Sequence, residues 1–162
     1  MTLEDIFKKL KEKFQDGVLE LKIPDEKYKG DAFIMIDAKK NHAVLKYLKE
    51  EASLLFDNLL CISGVDYKDY FSVVYHLHSY THLHKVVIKV HLQERENPKL
   101  DSAFDLWKGA NWLEREIFDI LGIHFSNHPD LRRILLPDDW EGYPLRKDYK
   151  TQETWHGIKV GM

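Results

Sequence analysis

Three long β-type runs joined by very short links constrain the fold of this chain more than any other feature. The runs cover residues 58–65, 71–80 and 85–92, and apolar residues alternate along the second and third of them. The links between the runs are only about four residues long, whereas a parallel return requires a crossover of about a dozen residues. The three runs are therefore predicted to pair as antiparallel hairpins.

The first part of the chain predicts the order helix, two strands, helix. A capping box that begins at Thr2 precedes apolar residues at helical spacing. Residues 18–23 and 32–36 have the composition of strands, and Asp37 is predicted to cap a second helix that ends near Glu51. The inward face of this second helix is predicted to consist of Val44, Leu45, Leu48 and Ala52.

The pattern after the hairpins predicts a short helical segment and then an irregular tail. A short helix is predicted around residues 102–107 and a stronger one over residues 111–121, closed by Gly122. The fold class is thus α+β: a mainly antiparallel five-stranded sheet with helices packed on one face. We predict a core domain of residues 1–122 and an extended, non-regular C-terminal arm of residues 123–162.

The arm combines prolines with large apolar side chains. Three of the five prolines of the chain lie within residues 128–149, and proline disrupts both helices and central strands. Solvated loops seldom carry so many large apolar residues, and aromatic and arginine side chains dominate protein–protein interfaces. The arm is therefore predicted to bury apolar side chains against a neighbouring protein, namely Leu135, Leu136, Trp140, Tyr143 and Leu145.

Composition excludes several classes of function. The net charge of −3 provides no basic excess to neutralise nucleic-acid phosphates. Cys61 is the only cysteine, so neither a disulfide framework nor a cysteine-ligated iron–sulfur cluster is expected. No phosphate-binding glycine loop and no nucleophile motif occurs. Because no leader pattern and no apolar run of about 18 residues is found either, we expect a cytosolic or peripheral protein in a reducing compartment.

Histidines concentrate in the hairpin region and raise the hypothesis of a metal site. The predicted register places His76 opposite Val87 and His91 near Ser72, several residues apart along the strands. Since no cysteine or carboxylate stands at ligand spacing, half-exposed sheet histidines are the preferred interpretation. A free-standing metallohydrolase that uses the histidine hairpin with Glu114, Glu116 or Asp119, and an RNA-binding module, are kept as remote alternatives.

The helix predicted over residues 111–121 carries four charged side chains that could serve acid–base catalysis or ion pairing. They are Glu114, Arg115, Glu116 and Asp119. They lack a neighbouring nucleophile and an apolar cage that would raise the pKa of one carboxyl. We therefore favour an ion-pair network that fixes the base of the arm, with partner charges from Arg115 and from the arm residues Arg132, Arg133, Arg146 and Lys147.

Two blocks of residues resemble a known family. The first runs from Glu114 through Asp119, His128 and Arg132 to Leu135, and the second, residues 136–149, has the pattern Leu-Pro-x-x-Trp-x-Gly-x-Pro-Leu-Arg-Lys-Asp-Tyr. Both resemble the C subunit of the proton-pumping NADH:quinone oxidoreductase, respiratory complex I, in its unfused bacterial form. The upstream order of helices and strands is also similar to that family. One departure is Asn127, where the family pattern has glycine, and asparagine tolerates the left-handed conformation.

The resemblance implies a supporting role in a large assembly. It implies no catalytic, cofactor-binding or metal-binding residue in this chain, with FMN, iron–sulfur clusters and quinone held by partner subunits. The implied main partner is the D subunit of the complex, which helps to build the quinone site and is called here the quinone-site subunit. Further contacts are implied to other peripheral subunits, such as the B and I subunits.

The resemblance also implies a location and leaves one alternative open. The implied location is peripheral, on the cytoplasmic side of the bacterial plasma membrane. An equivalent subunit of a related membrane-bound hydrogenase or ferredoxin:quinone oxidoreductase remains an alternative, because the subunits that distinguish these complexes are other chains.

The family signature and the interface are implied to share one set of residues. They are Glu114, Arg115, Glu116, Asp119, His128, Arg132, Arg133, Leu135, Trp140, Pro144, Leu145, Arg146, Lys147, Asp148 and Tyr149.

Overall fold

A five-stranded sheet with three helices forms the centre of the computed structural model, which describes residues 1–160. The helices are α1 (Leu3–Phe14), α2 (Asn41–Glu50) and α3 (Ala110–Leu121). The strands are β1 (Val18–Lys22), β2 (Phe33–Ile36), β3 (Asn58–Asp66), β4 (Phe71–Ser79), β5 (His84–Leu92), β6 (Lys99–Asp101), β7 (His124–Ser126), β8 (Thr154–Trp155) and β9 (Ile158–Lys159). No helix in the described residues is long and apolar enough to cross a membrane.

The predicted hairpins are confirmed. The strand order is β1-β2-β5-β4-β3, in which the pair β2–β5 is parallel and the other three pairs are antiparallel. His76 lies opposite Val87 and His91 opposite Ser72, as the predicted register requires. The capping box of α1 is also present, with the N–H of Asp5 bound to the Thr2 hydroxyl.

All three helices pack on the same face of the sheet, as predicted. Residues of α1, α2 and α3 join the inward-facing strand residues in one buried cluster. Gly64 of β3 lies directly beneath α3: a Cβ atom there would come within 2.6 Å of the Leu121 side chain. The missing side chain therefore allows close approach of α3 to the sheet.

Two details of the helices differ from the prediction. Asp37 caps a single 3-10 turn, Ala38–Lys40, and α2 begins only at Asn41. Because α2 ends at Glu50, Ala52 is exposed instead of facing the core. No helix forms at residues 102–107: the N–H groups of Leu106 and Trp107 both donate to the Ala103 carbonyl in an isolated turn.

The core continues beyond residue 122, where we predicted that the arm begins. Residues 124–126 form β7, which pairs in parallel with β6, and Ile123 and Phe125 are buried. Asn127 has the expected left-handed backbone, with φ 64°. The irregular part of the C-terminal arm therefore begins at Asn127, and the last two residues of the predicted arm lie outside the described residues.

Candidate functional site

A buried carboxylate on α3 holds the base of the C-terminal arm. Asp119 is fully buried, and its Oδ2 accepts the N–H groups of Ile134, Leu135 and Leu136 at 3.0, 2.7 and 2.9 Å. Arg133 Nη1 donates to Oδ1 of the same carboxylate at 2.7 Å. Successive backbone N–H groups form a concave site for an anion. We call this arrangement the Asp119 clasp: Asp119, Arg133 and the N–H groups of residues 134–136.

The ionised state of Asp119 follows from these contacts. Burial by itself raises the pKa of a carboxyl, but the hydrogen bonds from Leu136, Arg133, Ile134 and Leu135 outweigh it and hold the pKa of Asp119 below its ordinary value. The clasp is therefore a charge-assisted contact between α3 and the arm. The ion pair predicted between this helix and the base of the arm exists at Asp119 and Arg133.

Two arginines donate hydrogen bonds to further backbone carbonyl groups of the arm. Arg133 Nη2 donates to the carbonyls of Trp140 and Gly142, both at 2.9 Å. Arg115, which is buried, donates to the carbonyls of Arg132 and Arg133 at 3.1 and 3.0 Å. Arg115 thus binds carbonyl groups of the arm, where the sequence predicted carboxylate partners for the charges of this helix.

Glu114 does not take part in the predicted ion-pair network. It is fully buried and accepts the Ser102 hydroxyl at 2.6 Å and the Ala103 N–H at 2.7 Å. These bonds fix residues 102–103 and explain the turn found in place of the predicted helix. Burial raises the pKa of Glu114 to about 7. Glu116, in contrast, is exposed on the outer side of α3.

His128, a residue of the arm, lies next to Glu114. Its side chain is buried, with Nε2 4.0 Å from Glu114 and 3.2 Å from the Asn111 carbonyl. Its Nδ1 accepts the Asp130 N–H at 3.0 Å, so the imidazole fits its neutral form with the proton on Nε2. Burial lowers the pKa of His128, which agrees with that form.

A second clasp holds the arm at the far end of the sheet. Asp66, the last residue of β3, accepts both nitrogens of the Arg95 fork at 2.7 and 3.1 Å and the Lys147 N–H at 2.9 Å. Arg146 donates to the Arg95 carbonyl and lies 3.3 Å from Asp148. We call these five residues the Asp66 clasp. The hydrogen bonds from Arg95 hold the pKa of Asp66 far below its ordinary value.

The sequence analysis did not predict the two members of this clasp that belong to the core domain, Asp66 and Arg95. Asp66 and Arg95 lie at strand ends without a motif, and they lie far from Lys147 along the chain. The guanidinium groups of Arg95 and Arg146 stack on Phe71 at 4.5 and 4.9 Å from the ring centre. The predicted interface residues Arg146, Lys147 and Asp148 thus bind the chain's own core.

Between the two clasps the arm packs on the end of α3. Gly122 has φ 72°, and a Cβ atom there would lie 2.5 Å from the Tyr143 ring, so both backbone and space require glycine. The N–H of Leu145 donates to the Ile120 carbonyl at 3.1 Å. The Tyr143 ring predicted to contact a partner therefore covers the end of α3.

Other predicted interface residues remain at the surface. The side chains of Leu135 and Leu145 are 64% and 63% exposed, although their N–H groups bind inward. The Arg132 side chain is 69% exposed and pairs with Asp130. Trp140, Pro144 and Tyr149 are half-buried, and the Trp140 ring lies 5.9 Å from that of Trp155 in β8.

The hairpin histidines give no support to the metallohydrolase alternative. His76 and His78 are half-exposed, whereas His84 is buried and bonded to the Leu54 carbonyl at 2.7 Å. Within residues 1–160, no group of three or more His, Cys, Asp or Glu side chains is arranged to hold a metal ion. The preferred interpretation of His76 and His78 as sheet residues agrees with this geometry.

Comparison with known proteins gives one consistent result. Residues 34–155 match the family model described as respiratory-chain NADH dehydrogenase, 30 Kd subunit. The C subunit of NADH-quinone oxidoreductase from Chloroherpeton thalassium is 45% identical over 97% of this chain, which spans 65% of the length of that relative. The C subunit from Chlorobium phaeobacteroides is 42% identical, with 93% of this chain and 90% of the relative covered.

A solved structure extends the likeness to three dimensions. A chain of the membrane-bound sulfane sulfur reductase, an archaeal respiratory membrane complex, superposes with a TM-score of 0.72 at 25% identity. The match covers 91% of this chain and 85% of that one. The chain therefore belongs to the family of the 30 Kd subunit of the respiratory-chain NADH dehydrogenase, which includes the C subunits of NADH-quinone oxidoreductase.

Proposed function

We propose that this chain is a non-catalytic subunit of a proton-translocating NADH:quinone oxidoreductase and that its C-terminal arm holds the quinone-site subunit. Membership of the family and the identity of 45% to a C subunit of such an enzyme support a place in the complex. The role is one of assembly and geometry, at the hydrophilic part of the complex on the cytoplasmic side of the membrane. The B and I subunits would provide further contacts.

One observation carries the proposal. Leu135 and Leu145 expose their side chains while the backbone beneath each is fixed by the core. A large apolar side chain on an already ordered backbone is a favourable anchor, because docking then loses little conformational freedom. The Asp119 clasp thus presents Leu135, and the contact with the end of α3 presents Leu145, to a partner protein.

The proposal assigns no cofactor to this chain. FMN, iron–sulfur clusters and quinone would be bound by other subunits, and removal of this chain would impair electron transfer only indirectly. Absorption spectra and metal analysis of the chain purified alone test this point. Stoichiometric flavin, iron or zinc in a correctly folded preparation would contradict it.

Charge insertion at the two leucines tests the anchoring role. We expect Leu135→Glu and Leu145→Glu together to reduce the amount of this chain that co-purifies with a tagged quinone-site subunit by at least about tenfold, because buried apolar contacts would be replaced by desolvated carboxylates. Leu19→Glu, on the far edge strand and 53% exposed, is the matched control. Normal recovery of the double variant would refute the anchoring role.

A second candidate function rests on the solved neighbour. A chain of a sulfane sulfur reductase, a different respiratory membrane complex, has the same fold at 25% identity. The second candidate is therefore the equivalent subunit of a related complex, such as a membrane-bound hydrogenase or a ferredoxin:quinone oxidoreductase. The subunits that co-purify with it separate the two possibilities. NADH-oxidising flavin subunits would identify the first function, and a hydrogenase or ferredoxin-linked input the second.

A further inference from the structure

Glu114 has no charged partner for its ionised form. Its side chain is fully buried, and both of its hydrogen bonds come from neutral donors, the Ser102 hydroxyl and the Ala103 N–H. Among the described residues, the only basic group within 4.0 Å of its carboxyl oxygens is the His128 imidazole. An unpaired carboxylate in such a site is strongly disfavoured, so the fold holds this carboxyl in its neutral form.

The His128 imidazole is the part of the arm that covers Glu114, and we call it the plug. Its side chain is fully buried, although the residues on either side of it are exposed. Nε2 of the plug lies 3.2 Å from the Asn111 carbonyl, and Nδ1 accepts the Asp130 N–H. The plug is therefore a single buried side chain on an exposed stretch of backbone.

The other residues that cover this carboxyl are held more firmly than the plug. The Ser102 N–H donates to the end of β7 at 2.9 Å, and Ala103 is fully buried. The N–H of His128, in contrast, has a long bond of 3.4 Å to the Phe125 carbonyl, in a segment without regular structure. Local opening occurs where buried contacts are few, so residues 127–130 are the part that opens first.

A polar cavity adjoins the plug. It has a volume of about 340 Å³, and its lining includes Ser102, which bonds Glu114, and Asn127, which precedes the plug in sequence. The other lining residues are also polar: His42, Asp101 and Asp105. A polar cavity of this size is suited to hold water. Water from the cavity can therefore hydrate Glu114 once the plug moves.

Among residues 1–160, the charges around this pair do not compensate an ionised Glu114. Burial is the main cause of its raised pKa, and the Asp105 carboxylate adds to it. Burial likewise lowers the pKa of His128, to which Arg115 adds and which Asp130 opposes. The Arg115 guanidinium is already bound to carbonyls of the arm. The other titratable groups on the surrounding elements are Tyr75 of β4, Asp101 of β6 and His42 of α2, which is paired with Asp105.

We propose that His128 is a pH-sensitive plug at the base of the arm: it stays in place while Glu114 is neutral, and residues 127–130 open when this carboxyl ionises. On opening, Glu114 gives its proton to water, and the carboxylate is hydrated through the adjoining cavity. The Asp119 clasp keeps residues 134–136 in place, so the movement is confined to the base of the arm. It is a property of the chain itself and goes beyond the proposed function, since it requires no partner.

The direction of the effect follows from proton binding. The pKa of Glu114 is about 7 with the plug in place and 4.5 ordinarily, so the closed form binds the proton more tightly. The contribution of Glu114 to closure is therefore complete below about pH 4.5 and is lost as the pH rises through about 7. The lowered pKa of His128 acts with the opposite sign. Glu114→Gln retains the contribution of His128 and thus separates the two.

Labelling of histidines with diethyl pyrocarbonate measures the opening. The reagent carbethoxylates accessible neutral imidazoles, and fragment mass spectrometry resolves His128 from the exposed His124. We expect the labelling rate of His128 in the native chain, divided by that in Glu114→Gln, to rise about tenfold between pH 6 and pH 8. His124 should react at the same rate in both proteins. Glu116→Gln, at an exposed position of the same helix, is the matched control and should keep the native profile.

A second measurement needs no variant and stands even where circular dichroism shows that Glu114→Gln is not folded. In the native chain, the carbon-13 shift of the Glu114 carboxyl should titrate with the same midpoint as the labelling rate of His128. Two clearly different midpoints would overturn the inference, as would a rate ratio that is equal at pH 6 and pH 8.

The remaining outcomes identify a different opening or a different failure. Faster amide exchange of Ala103 at pH 8, with unchanged labelling of His128, would show that residues 102–103 open instead of the plug, which also overturns the inference. None of these results bears on the proposed function. That function fails instead if the chain does not co-purify with the quinone-site subunit.

Discussion

At the scale of single residues, two buried carboxyl groups on α3 have pKa values that are shifted in opposite directions. Asp119 receives three backbone N–H groups and an arginine, and it stays ionised. Glu114 receives one hydroxyl and one N–H and has no cation within bonding distance among the described residues. The number and charge of the donors therefore decide which form of a buried carboxyl is stable.

The raised pKa of Glu114 predicts a specific dependence of stability on pH. Its pKa is about 7 in the folded chain and 4.5 ordinarily, so the folded state binds the proton more tightly. The contribution of this group is therefore complete below about pH 4.5 and falls by roughly 3 kcal/mol as the pH rises to 7. Urea unfolding at pH 5 and pH 8 measures the effect against Glu114→Gln, which cannot ionise and whose amide accepts the Ala103 N–H and donates to the Ser102 hydroxyl.

The comparison with Glu114→Gln is necessary because other groups act in the same range with the opposite sign. Burial lowers the pKa of His84, His91 and His128, so their contributions grow as the pH rises towards the ordinary value of 6.5. We expect the variant to gain stability relative to the native chain at pH 8 but not at pH 5. Equal differences at the two pH values would contradict the assignment.

Asp119→Asn is expected to destabilise the chain by about 3 kcal/mol. The amide directs donor hydrogens at groups that are themselves donors, so either Arg133 or part of the backbone N–H set loses its acceptor. Glu116→Gln, an exposed carboxyl on the same helix, is the control and should change the free energy of unfolding by less than about 0.5 kcal/mol. Equal urea midpoints for both variants would rule out the proposed role of Asp119.

At the scale of elements, the arm is attached at two separate places. The Asp119 clasp binds it to α3, and the Asp66 clasp binds it to the end of β3 and to Arg95, which follows β5. Between them Tyr143 packs on Gly122. Charged side chains thus bind the backbone of this irregular segment and fix its position. Regular secondary structure cannot supply these hydrogen bonds, because prolines interrupt the segment.

Arg132 and Arg146 were both predicted as interface residues, but only Arg146 belongs to a clasp. Arg146 is 14% exposed and stacks on Phe71, whereas Arg132 is 69% exposed. Arg146→Ala should accelerate hydrogen exchange of the Lys147 amide by about tenfold, because the Asp66 clasp loses a member. Arg132→Ala should leave that amide unchanged. Similar exchange in both variants would contradict this difference.

At the scale of the whole molecule, the arm and the core are energetically joined. Asp119 and Asp66 belong to the core, but the arm supplies many of the donors that satisfy them. The chain therefore differs from a domain with a free tail, in which the core would be indifferent to removal of the tail.

Deletion of all residues after Ser126 tests this coupling. We expect the shortened chain to lose several kcal/mol of stability, since the deletion removes the hydrogen-bond donors of Asp119 and the side chains that pack on α3. Asp119→Asn should then cost much less in the shortened chain than in the full one, or even stabilise it. A double-mutant cycle from urea unfolding measures the difference. Additive effects would show that arm and core are independent.

Short-range patterns of the sequence determined the regular elements. The length of the links imposed the antiparallel hairpins and the register that pairs His76 with Val87, because a short loop leaves the backbone few alternatives. Gly122 and Asn127 likewise marked the left-handed positions that end α3 and β7. The pattern of the two signature blocks identified the family, which the comparisons confirm.

Tertiary structure alone decided which charge meets which partner. Asp66 and Lys147 are 81 residues apart in sequence, and nothing local links them. The segment 102–107 was predicted as a helix from its own residues, but Glu114 of a later helix fixes it as a turn. Arg132 and Arg146 have the same side chain, but Arg132 is exposed and Arg146 is largely buried. Local backbone geometry is encoded by neighbours in sequence, whereas burial and partner choice depend on how distant segments pack.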